Sequence, residues 1–244
     1  LCSKDFFEML RQGKESITTA VNPLDFEEAF GPILAAGEDV LYLAFSSGLS
    51  STYGVSLMAW EEMKARYPGR RVICIDTLCA SMGQGLLAFY AARMRLEGKG
   101  LEETATWVEE NRLHLCHWFT VDDLIHLHRG GRVGAVAAYA GTVLGIKPLL
   151  HVDDAGHLVP IRKVRGQKQM LEALVAQLKQ RGRKIEEQTI FICQADATQQ
   201  AEELAEAIRT RFAVQDIQIG PMGPIIGSHA GPGALALFFL GDQR

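Results

Sequence analysis

Short, continuous apolar runs alternate with helical segments through the first half of the chain, and no other feature limits the fold so strongly. Residues 40–45 and 71–76 read as strands with no polar face. Each leads at once into a helix, over 50–67 and from 81 to about 97. Strands without a polar face are buried on both sides, and helices between them are crossover connections, so the pattern predicts a parallel sheet covered by helices. Further helices are expected at 4–13, at 101–111 and after Asn22-Pro23, where Asn22 can cap and Pro23 fits the first turn. The segment 113–121 is a strand by content.

After residue 121 the pattern changes. A short helix at 122–128 ends at Gly130-Gly131, and 134–145 reads as a helix of unusually small side chains. Strands at 146–152 and 157–163 flank Asp153-Asp-Ala-Gly156, a hairpin signal. Helix 166–181, strand 189–194, helix 198–212 and strand 214–219 follow. A Gly/Pro-rich stretch at 220–233 reads as a loop with a fixed path, and 234–240 is the last strand. The expected fold is α/β with two α/β domains. Residues 1–121 form a mostly parallel sheet flanked by helices, and residues 122–244 a mixed sheet with helices.

Composition removes several function classes. A net charge of −4 supports neither nucleic-acid nor basic-membrane binding. No apolar run reaches the roughly 18–20 residues that span a bilayer. The start has no charged segment leading into an apolar one, so no signal peptide is read. Five cysteines (Cys2, Cys74, Cys79, Cys116, Cys193) form no CxxC pair, which fits reduced core thiols in a cytoplasmic protein.

The chemistry concentrates at a few places. Ser46, Ser47, Ser50, Ser51 and Thr52 cluster around Gly48 where the strand 40–45 meets its helix. Carboxyl ends of parallel strands are where ligands bind, and the helix aims free backbone N–H groups at the same spot. A pocket for a small anion, held by neutral hydroxyls, is expected there. Ser46 and Ser47 are the preferred contacts, with Ser50 or Ser51 as the helix cap. Thr77, after the next strand, either adds a hydroxyl or completes a turn. His229 sits inside the rigid 220–233 stretch and suits a carboxylate or phosphate. Arg165 precedes a helix and is the better anion-contact candidate within Arg162-Lys-Val-Arg165; Gly130-Gly-Arg132 is a weaker case of the same kind. There is no G-x-S-x-G elbow for a hydrolase and no phosphate-binding P-loop. His114, Cys116, His117, His126 and His128 lack the spacing of a metal site, so neither a metal nor catalytic residues are assigned. The small-sided helix either packs closely or leaves room for a slender ligand with an apolar tail and an acidic head.

These segments taken in order resemble the DegV family: Ser46-Ser-Gly-Leu-Ser-Ser-Thr-Tyr53, Asp76-Thr77 with Ala80-Ser-Met-Gly83, Phe119-Thr-Val-Asp-Asp-Leu124, Gly130-Gly-Arg132, Ile146-Lys-Pro148, Lys163-Val-Arg165 and Gly227-Ser-His-Ala-Gly-Pro-Gly233. Thr18-Thr19 with Asn22-Pro23 is similar to a further family segment. The resemblance implies a bacterial two-domain protein of the EDD fold. Such a protein is a cytoplasmic carrier, not an enzyme, with no cofactor and no stable membrane insertion. It implies one long-chain fatty acid, such as palmitate or stearate, in an interdomain tunnel. Thr18 or Thr19, Ser46 or Ser47, and His229 then hold the carboxylate, Arg165 lies near the head group, and a separate fatty acid kinase receives the carboxyl end. The family's opening strand is missing, so the chain is expected to lack roughly the first 40–50 residues of a usual member. Ala20-Val21 and Ser51 also depart from the family pattern. The rival reading is a small-molecule phosphotransferase or hydrolase-like enzyme using the strand-end hydroxyls. A third is an interaction module with an empty cleft.

Overall fold

A computed structural model describes residues 3–134 and 145–244. The small-sided helix expected at 134–145 therefore falls, over 135–144, outside the described residues.

The fold is α/β with two sheets. Helices α1 (Ser3–Arg11) and α2 (Pro23–Ala35) precede β1 (Val40–Ala44), α3 (Thr52–Met63) and β2 (Val72–Asp76). β1 and β2 pair in parallel, Val40 opposite Val72 and Ala44 opposite Asp76. Asn22 caps α2 as read from the sequence: its side chain accepts from Leu24 and Asp25 N–H, and Asp25 accepts from Asn22 N–H. Such a reciprocal cap contributes about 1 kcal/mol. Phe26, Phe30 and Leu34 of α2 meet Ala59 and Met63 of α3 and the strand residues Val40 and Val72 in one small core.

α4 (Ser81–Leu96) and α5 (Leu101–Asn111) lead to β3 (Leu115–Thr120) and the short α6 (Ile125–Arg129). Then come β4 (Ile146–Val152), β5 (Leu158–Arg165), α7 (Gln167–Arg181), β6 (Thr189–Gln194), α8 (Thr198–Arg209), β7 (Asp216–Pro221), α9 (Pro224–Ala230) and β8 (Leu235–Leu240). The larger sheet runs β5-β4-β3-β8-β6-β7, parallel only at β6–β7. By composition β3 groups with the first half of the chain. By hydrogen bonding it lies inside the larger sheet, antiparallel to β4 and β8. A strand buried on both faces has the same residue pattern in either sheet, so only its partners decide. β8 shows the two-faced burial directly: Ala236, Phe238 and Leu240 enter one core, Leu235, Leu237 and Phe239 the other.

Two local features position the site. The 220–233 stretch is not all loop, because α9 occupies its middle. Pro224 stands in the first turn, where its missing N–H is harmless, and Gly231 ends the helix at φ +75°. The prolines and glycines thus punctuate a helix. The β4–β5 turn is built by Asp153, whose carboxylate accepts from Ala155 and His157 N–H, with Gly156 at φ +79°.

Candidate functional site

A cavity of about 410 Å³ opens between the elements of the two sheets, within the range of small-molecule sites. Its walls are mostly apolar: Tyr42 and Phe45 from the small-sheet side, Phe119, Leu127, Leu235 and Phe238 from the larger, and Val152 and Leu158 from the hairpin.

The polar atoms gather at particular places. The connection between α1 and α2 crosses α9, where Ser16 Oγ donates to Ser228 Oγ (2.8 Å) and Thr18 Oγ1 lies 2.7 Å from His229 Nε2. Thr18, Thr19 and His229 all line the cavity. His229 Nδ1 is buried and has no hydrogen-bond partner. It presses on Gly130, where a Cβ would overlap the ring, so that glycine is required for the approach. Burial, and then the Arg132 guanidinium, push the His229 imidazole below its usual range, which keeps it neutral near pH 7. Arg132 also lines the cavity, with Nε donating to Leu49 O (3.0 Å) and a second bond to Gly130 O.

The loop after β1 divides its hydroxyls. Ser46 is fully buried; its Oγ donates to Gly156 O (2.9 Å) and accepts from Gly48 N–H (3.2 Å). Ser47 is exposed, and its backbone N–H donates to Asp76 (3.1 Å). Neither is among the lining residues, whereas Ser50, Ser51 and Thr52 are. Ser50 Oγ and Thr52 Oγ1 are 2.9 Å apart, and Ser50 Oγ accepts from Thr52 N–H (3.2 Å). Ser51 occupies the cap position of α3 without a capping side-chain bond. Thr77 is a turn residue: its hydroxyl donates to Ala44 O (2.6 Å) and accepts from Cys79 N–H (3.2 Å). Arg165 ends β5, exposed and away from the cavity lining. The structure thus brings Thr18, Thr19 and His229 to one mouth. It puts Ser50–Thr52 and Arg132 on the lining in place of Ser46, Ser47, Thr77 and Arg165.

Sequence reasoning missed His117, which also lines the cavity. It is 2% exposed; Nδ1 donates to Leu115 O (3.1 Å) and Nε2 accepts from Ala80 N–H (3.2 Å). Burial and the Arg244 charge hold it well below the ordinary imidazole range. Its only sequence signal is a histidine inside an apolar strand. Burial pushes the Cys79 and Cys116 thiols up to about 12, so neither supplies a thiolate. Among the described residues no group of three or more His, Cys, Asp or Glu could hold a metal, and no helix is long and apolar enough to cross a membrane.

Fold and cavity define a class: an α/β protein of two sheets enclosing an apolar slot with a hydroxyl, imidazole and guanidinium mouth. A family model described as "Uncharacterised protein, DegV family" matches residues 1–242, and the chain belongs to the DegV family. A DegV domain-containing protein of Clostridium perfringens is 48% identical over 244 residues, covering 100% of this chain and 84% of that protein. A Thermotoga maritima protein, whose solved structure is described as revealing fatty acid binding function, is 30% identical with a TM-score of 0.84, covering 98% of this chain and 82% of that one. The Streptococcus pneumoniae Fatty Acid Kinase (Fak) B3 protein loaded with linoleic acid is 21% identical with a TM-score of 0.88, covering 99% of this chain and 84% of that one; this likeness is one of fold alone.

Proposed function

We propose that this chain is a non-enzymatic carrier that binds one long-chain fatty acid, such as palmitate or stearate, and offers its carboxylate to a fatty acid kinase. The observation that carries the reading is the mouth of the slot. A neutral imidazole with a buried, unpartnered Nδ1 stands beside a threonine hydroxyl and an arginine, on a cavity whose walls are mostly apolar. Thr19 and Arg132, with Ser50–Thr52, supply donors for a carboxylate, and the Thr18–His229 pair supplies one more: the His229 Nδ1–H when Thr18 donates to Nε2, or the Thr18 hydroxyl when Nε2–H donates to it. The Arg132 Nε is already bound to Leu49 O and an Nη to Gly130 O, so two of its five donors are spent on the backbone rather than on a head group. Burying each methylene contributes about 0.8 kcal/mol, so a palmitate tail supplies on the order of 10 kcal/mol before entropy and desolvation. Ser46 then acts on the ligand only indirectly, by seating the hairpin that forms one wall. The hand-over to a kinase rests on the resemblance in motif order and on the exposure of Thr19 at the mouth. A cytoplasmic bacterial setting and two domains that clasp the ligand belong to the same reading.

Native mass spectrometry of protein purified from bacteria tests it. The parent is expected to carry one fatty acid per chain and His229→Ala to lose most of it. Parent protein free of lipid, or a variant as loaded as the parent, removes the proposal. Turnover of ATP by the isolated chain would instead favour the phosphotransferase reading.

A further inference from the structure

A further hydroxyl lies on the cavity wall. Ser81 lines the cavity at the start of α4. Its backbone is left-handed at φ +54°, a conformation costly for a residue with a side chain. Its hydroxyl donates to the Cys193 thiol at 3.5 Å, a weak acceptor, and among the described residues no N–H or O–H donates to its oxygen. Ser81 follows Ala80, whose N–H is bonded to His117 on β3. The strand runs on from His117 to Thr120, about 10 Å at the usual rise per residue, toward the end where α9 and its His229 precede β8. The lining beside it includes Ala236 and Phe238, which are apolar, and His117, whose two nitrogens are both spent on the backbone. An oxygen with open lone pairs on such a wall is a poor neighbour for a plain methylene chain and a good acceptor for a hydroxyl.

We infer that Ser81 forms a second polar subsite, which selects acyl chains carrying a hydroxyl along their length. This deepens the fatty-acid reading and rests on it. The ligand hydroxyl donates to Ser81 Oγ while the Ser81 O–H goes on donating to Cys193 Sγ. Only a hydroxyl at the matching distance from the carboxylate gains from Ser81, because against the apolar stretches of the wall it is buried unpaired.

The test loads the protein from an equimolar mixture of stearic acid and hydroxystearic acids differing in hydroxyl position, read by native mass spectrometry. One positional isomer is expected to be retained about fivefold over stearic acid, the worth of one hydrogen bond. Ser81→Ala and Ser81→Gly should both abolish that preference while still loading stearic acid. Glycine suits the positive φ, so that variant keeps the fold. Preference for stearic acid over every isomer, or a preference that survives both substitutions, overturns the subsite and leaves the carrier reading standing. Failure of the parent to load any acid overturns both.

Discussion

Two histidines line one cavity and differ in what surrounds their second nitrogen. His117 is fully enclosed, and the backbone uses both its nitrogens, one as donor and one as acceptor. Its tautomer is therefore set, and it has nothing left to offer a ligand. His229 is half-buried, shares one nitrogen with Thr18 and keeps the other unpartnered. The first ring is part of the wall and the second is equipped to meet something. Both are held neutral by burial, so protonation alone does not separate their roles; hydrogen-bond inventory does.

The largest expected effect follows from that difference. His117→Ala leaves a hole in the core, orphans Ala80 N–H, takes one of two side-chain donors from Leu115 O, and is expected to cost about 3 kcal/mol in urea unfolding. His229→Ala should change stability by less than about 1 kcal/mol, because it removes a single bond and an unsatisfied nitrogen. Equal stability losses for the two variants would erase the distinction.

Acid sharpens it. Both imidazoles titrate below their unfolded value, so between the two pKa values the unfolded chain binds more protons than the folded one. Stability is then highest above about pH 6.5 and falls as pH drops through that value. His117, the more deeply depressed, should account for most of the fall. His117→Phe is expected to flatten the profile of thermal midpoint between pH 7.5 and 5, and His229→Phe to flatten it less. The reverse order would mean that His229 is the more tightly enclosed ring.

The sequence was legible where local chemistry is decisive. The strand–helix alternation, the Asn22 cap and the Asp153–Gly156 turn each depend on neighbours in the chain, and each formed as read. Thr18, Thr19 and His229 reached the cavity from opposite ends of the chain, and the family motifs had already brought them together. What was not legible depends on distant partners. Ser46 and Ser50 look alike in a serine-rich loop. Only the arrival of Gly156, too close for any side chain at that position, assigns Ser46 to the hairpin. Arg132 and Arg165 are similarly alike in sequence, and Arg132 gains its place because Leu49 O accepts from it. α9 was hidden because proline and glycine mark loops and helix ends equally well.

The smallest effect probes the mouth at its other partner. Thr18→Val keeps the shape and removes the hydroxyl that meets His229 Nε2 at 2.7 Å. Both imidazole nitrogens are then without a partner in the empty protein, and a carboxylate gains a ring free to reorient but loses the threonine's own donor. If the hydroxyl serves chiefly to position the ring, rescue by Thr18→Ser restores full lipid retention, and valine weakens it about fivefold, the worth of one hydrogen bond. Retention by the valine variant equal to the parent's would leave His229 as the group that meets the ligand and reduce Thr18 to a filler of the wall.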